Sequence, residues 1–135
     1  VIDISALRNQ LAAILLAAVG DQATVYPAGT TSTVVFPAVI IGMPRWEANT
    51  QPCMDTLSWP ITTAVARPGS NDPHVITQLD QLWPVVAEAL RQSISDDQTI
   101  MGSCKAATVI RADPGYVAIQ GIDYPGQTIT LETYG

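Results

Sequence analysis

Few residues in this chain could do chemistry, and their spacing gives them little to do it with. His74 is the only histidine. It falls in the first turn of a helix opened by Asp72-Pro73, where the helix dipole disfavours a charged imidazole. A Ser/His/Asp arrangement can be drawn around it, but no nucleophile elbow or Cys-His motif accompanies it. Asp72, His74 and Asp80 do not share one helix face, so they are not expected to hold a metal. Asp96 and Asp97 are adjacent carboxylates with no further oxygen ligands nearby in sequence, which reads as a solvated connection. Cys53 and Cys104 have no metal spacing. Without a secretory signal they read as free, buried thiols, with a bridge between them as the lesser alternative. None of the nine glycines forms a phosphate cradle after a strand. The expectation is a protein that is not an enzyme and carries neither cofactor nor metal.

Composition narrows the class. At 135 residues the chain has the length of one domain, 1–135, with enough material for a real core. Hydrophobic residues make up 47% and charged ones 13%, about half the usual charged share of roughly 25%. A surface so poor in charge must cover apolar area, and self-association is the simplest way to do it. No apolar run approaches the roughly 20 residues of a membrane span, and the first helix lacks the basic flank and cleavage site of a signal peptide. The net charge is −6, and Lys105 and the arginines are scattered singly. Nucleic acid is therefore not expected as a surface ligand.

The elements that must position these residues centre on Leu57 to Leu90. Leu57, Trp59, Ile61, Thr63 and Val65 alternate with smaller or polar neighbours and predict a half-buried strand. After a turn-rich break, Ile76, Leu79, Trp83, Val86 and Leu90 form one helical stripe. Its phase continues across Pro84, so one kinked helix from about Pro73 to Gln92 is predicted, followed by a polar connection to Met101. Upstream, Asp3 or Ser5 caps a first helix that Gly20 ends. Ile4, Leu7, Leu11, Ile14 and Ala18, with Leu15 beside them, make its inward stripe. The opposite face carries Ala12, Ala13, Leu16 and Ala17, with no charge between Gln10 and Asp21. Two readings stand: a central helix buried all round, or a small-residue face at Ala13, Leu16 and Ala17 that packs on a neighbouring subunit.

Ala23–Tyr26 reads as a short strand, and Val34–Ile41 as another, placed at an edge or bulged because Pro37 cannot donate. From Gly42 to Pro52 periodicity disappears. That stretch is expected to be a loop in which Arg45, Trp46 and Glu47 make a contact surface, or in which Trp46 folds back onto the core. At the C-terminal end, Ala107–Arg111 and Tyr116–Gln120 alternate around an Asp113-Pro114-Gly115 turn, and Pro125-Gly126 reads as a type II turn before a last strand. The order α-β-β-β-α-β-β, with room for one more strand, predicts an α+β domain with an antiparallel-rich mixed sheet packed by two helices.

The order of segments also resembles a family. Ile2 to Leu7 (Ile-Asp-Ile-Ser-Ala-Leu) opens a helix, and Tyr26-Pro27 and Phe36 to Gly42 (Phe-Pro-Ala-Val-Ile-Ile-Gly) lead to a long strand ending Ala64 to Arg67 (Ala-Val-Ala-Arg). Gln78 to Leu90 (Gln-Leu-Asp-Gln-Leu-Trp-Pro-Val-Val-Ala-Glu-Ala-Leu) then forms a helix, and a strand pair ends the chain. This resembles the tail terminator, or tail completion, proteins of long-tailed bacteriophages over nearly the whole chain, in architecture rather than in a diagnostic signature. The resemblance implies a hexameric ring of small α+β subunits. The ring caps the tail tube, stops its polymerisation and presents a surface to the head-completion (stopper) protein. Its implied partners are further copies of itself, the tail tube protein and the stopper, with DNA only as cargo and no membrane. The implied location is the head–tail neck of the virion. Other readings are a different neck or tail-tube ring protein, and a small peptide- or ligand-binding module that uses Trp46.

Overall fold

The structure, a computed structural model, describes residues 3–29, 34–51, 54–65, 73–119 and 121–135. It is an α+β fold of two helices on one six-stranded mixed sheet. Helix α1 spans Ile4–Val19, and β1 (Thr24–Tyr26), β2 (Ala38–Ile41), β3 (Arg45–Gln51) and β4 (Met54–Ala64) follow. Helix α2 spans Pro73–Asp96, and β5 (Ala106–Ile119) and β6 (Ile122–Tyr134) end the chain. The sheet order is β1-β2-β4-β6-β5, with β3 beside the first half of β4. Among the described strands β1 and β2 run parallel, and the other pairs are antiparallel.

The alternation in β4 does what its sequence predicts. Leu57, Trp59, Ile61, Thr63 and Val65 are all buried, and the two helices cover that face. Helix α1 lies over β1 and β2, and α2 lies over β4, β5 and β6. The Asp3 carboxylate accepts the Ala6 amide at 3.1 Å and opens α1. Gly20, at a positive φ of 53°, closes it by donating to Leu16. The buried residues of α1 are Leu7, Leu11, Leu15 and Val19. This corrects the expected stripe, because Ile4 is 45% exposed and Ile14 only partly buried. In α2 the buried line is Leu79, Leu82, Val86 and Leu90. Leu82 takes the place expected of Ile76, which is exposed, and Trp83 is partly buried. Pro84 lies inside one continuous helix, as its unbroken phase predicts, and that helix runs to Asp96 rather than Gln92. Its predicted cap, Asp72, lies outside the described residues.

Three local readings are corrected. The expected loop from Gly42 onward contains β3, paired to β4 from Arg45↔Ser58 to Gln51↔Met54. Arg45, Trp46, Glu47 and Ala48 are all exposed, so neither face of this edge strand is sorted by burial and no period of two appears. Strand β2 begins after Pro37 and lies between β1 and β4, so it is internal and the proline falls outside it. The two expected C-terminal turns are strand interiors. Pro114 sits in β5, an edge strand that tolerates a missing donor. Pro125 sits in β6 just beyond Gly126, the last residue that β4 reaches. The hairpin instead turns between Ile119 and Ile122, where Gly121 has a φ of 78°. Past Gly126 its two strands continue alone for four pairs, Tyr116↔Pro125 to Ile119↔Ile122, an arm of roughly 13 Å at about 3.3 Å per residue.

Candidate functional site

The residues first weighed for chemistry are not assembled into a centre. His74 is exposed at the start of α2. Among the described residues no group of three or more His, Cys, Asp or Glu side chains is placed to hold a metal ion. Cys104 is a free, buried thiol; burial and then the nearby Asp97 charge raise its pKa, the reverse of activation. The side chain of Cys53 lies outside the described residues.

Asp96 and Asp97 are both exposed, as expected of a solvated connection, but that connection is shorter than expected. Asp96 is the last residue of α2, and Asp97 organises the turn after it. The Asp97 carboxylate accepts the Thr99 hydroxyl at 2.5 Å, the Thr99 amide at 3.0 Å and the Met101 amide at 3.0 Å. These bonds, the Thr99 hydroxyl foremost, hold its pKa below the ordinary carboxylate value. The turn runs through Ile100, Met101 and Gly102 with φ of 47°, 58° and 79°. Ile100 points into the core, and Met101 stands 74% exposed.

Arg8 is the most elaborately held cation. Its guanidinium donates to the carbonyls of Pro27 at 2.7 Å and Ile41 at 3.2 Å, and lies 5.1 Å from the ring centroid of the buried Trp59. The Trp59 indole donates to Thr133 Oγ1 at 3.2 Å. This set ties α1 to the ends of β1 and β2, which is a structural role.

Surfaces are the more informative feature. On α1, Ala13, Leu16 and Ala17 are exposed, Leu16 by 58%, which removes the reading of a helix buried all round in the monomer. On β3, Arg45 and Glu47 share one face and pair at 3.7 Å. Trp46 is on the other face, opposite Leu57, and is 61% exposed, so it does not fold back onto the core. Met43, just before β3, is more exposed still. Sequence reasoning missed it, although a methionine between Gly42 and Pro44 has little chance of being covered by regular structure. The turn after α2 was also missed, because its left-handed backbone has no signature at Ile100 or Met101.

The sheet face away from the helices is lined by short hydroxyl and small side chains, including Ser58, Thr62, Thr128 and Thr130, all partly buried. Its ionisable groups have local partners. Arg111 pairs with Asp113 at 2.7 Å, and the Tyr134 hydroxyl donates to Glu132 at 2.6 Å. No helix among the described residues is long and apolar enough to cross a membrane. No known family model matches this chain, and no curated protein matches it in sequence.

Proposed function

We propose that this chain is a non-enzymatic ring subunit of a phage neck, a tail terminator that caps the tail tube and joins the tail to the head. The observation that carries the reading is the outer face of α1. From Asn9 to Gly20 that helix has no ionisable residue, and it still exposes Ala13, Leu16 and Ala17. An uncharged helical face left open in a monomer suits a permanent contact between subunits. The resemblance in segment order supplies the kind of assembly: a closed ring, six copies in the family, with the tail tube protein on one side and the stopper on the other. The acidic balance suits a ring through which DNA passes as cargo, because like charge repels phosphate. Such a role needs no catalytic group, cofactor or membrane anchor, and it places the protein in the virion neck.

The test is solution mass and negative-stain imaging of the purified chain across a concentration series. The ring reading expects a closed annular oligomer. A monomer at every concentration contradicts it and favours a binding module.

A further inference from the structure

Two parts of the described surface complement each other in chemistry. One is the start of β3. Arg45 leaves 81% of its side chain accessible, Met43 just before the strand is 86% exposed, and Trp46, on the opposite face of the strand, is 61% exposed. The Arg45–Glu47 pair is 3.7 Å long and exposed on both sides, so it restrains the guanidinium weakly. The other is an open groove of about 370 Å³ between α1 and the turn after α2. Ala13, Ile14, Ile100 and Met101 give it an apolar wall, and Asp96 and Asp97 lie along it.

Both carboxylates are fixed by uncharged donors. Asp96 accepts from the Gln92 amide at 3.1 Å, and Asp97 from Thr99 and Met101. Among the described residues neither has a cation within 4.0 Å. The groove therefore holds two oriented, unneutralised negative charges beside apolar surface. The wall includes two successive left-handed residues, Ile100 and Met101, and Met101 stands outward at the groove.

We propose that the β3 edge of one copy docks into this groove on a second copy. Entering edge-on, Arg45 reaches Asp96 and Asp97 from one face of the strand, and Trp46 covers Ala13 and Ile14 from the other. Arginine and tryptophan are the residue types that most often anchor interfaces, and a cation and an apolar side chain on the two faces of one edge match the anions and the apolar wall of the groove. A plug on one copy seated in the groove of the next, repeated head to tail, is a heterologous contact, the kind that propagates into a ring. The inference rests on the ring reading above and names its subunit contact.

The experiment is a charge swap on the full chain, read by light scattering and native mass spectrometry. Asp96 is exchanged rather than Asp97, which holds the turn. Arg45→Glu and Asp96→Arg are each expected to raise the apparent dissociation constant of self-association at least about tenfold, and the double variant to recover most of that loss. Circular dichroism checks that each variant is folded. If Asp96→Arg is not, Arg45→Gln and Asp96→Asn must each weaken assembly. Full assembly by both single variants overturns the docking and leaves the ring intact. A wild-type chain that stays monomeric overturns both.

Discussion

A β-carbon at Gly126 would lie 2.7 Å from the Thr63 carbonyl oxygen and 2.7 Å from Val117 Cγ2. Its cross-strand partner Gly115 has open space at the same position. Gly126→Ala is therefore expected to lower stability by roughly 1–3 kcal/mol, as overpacking does. Gly115→Ala should stay within about 0.5 kcal/mol of the wild type. Denaturant melts of the two variants check the contrast, and equal losses would mean that the close approach at Gly126 is wrong. Asp97 makes a second residue-level prediction. Its folded pKa is depressed, so the stability it adds is fully present above its unfolded value and lost as pH falls through the folded one. Asp97→Asn should melt below the wild type at neutral pH, and the gap should close below the ordinary carboxylate pKa of about 3.9. A gap that does not change with pH would show that the carboxylate charge plays no part.

In α2 the deciding contrast is between Leu82, 4% exposed, and Ile76, 53% exposed. Leu82→Ala is expected to cost roughly 2–5 kcal/mol, and Ile76→Ala less than about 1 kcal/mol. Thermal or denaturant melts that reversed this ranking would put the helix in the phase its sequence first suggests. That phase error shows what was legible. Where one face is fully buried, as along Leu57 to Val65, a period of two identifies the strand outright. On α1 and α2 the apolar residues outnumber the places in the core, so hydrophobicity alone could not say which of Ile76 and Leu82, or Ile14 and Leu15, turns inward. Strand β3 was illegible because an exposed edge carries no burial pattern. Pro114 and Pro125 misled because proline marks a turn only where a ladder donor is needed. Both sit where an edge makes it dispensable. Of the proposed surface residues, Arg45, Trp46, Leu16 and Ala13 were found through residue type and lack of charge. Asp96, Asp97 and Met101 become a groove only when the turn after α2 folds beside α1.

At the scale of the whole molecule, the helices share a single core on one side of the sheet, and the exposed apolar residues lie outside it, on α1, before β2, before and in β3, at Ile76 on α2, at Met101 after it, and along the last hairpin. With charged residues at 13%, little on that surface opposes association. On the ring reading proposed above, such surfaces would meet neighbouring subunits and the tail tube, and loss of the protein should be felt in tail length before anything else. The most direct measurement is therefore the distribution of tail lengths, by electron microscopy, in a phage whose copy of this protein is deleted, with and without the protein supplied in trans. The account predicts overlong tails, or tails that fail to attach to filled heads, and normal particles when the protein is supplied. Tails of normal length joined to heads in the deleted phage would contradict it.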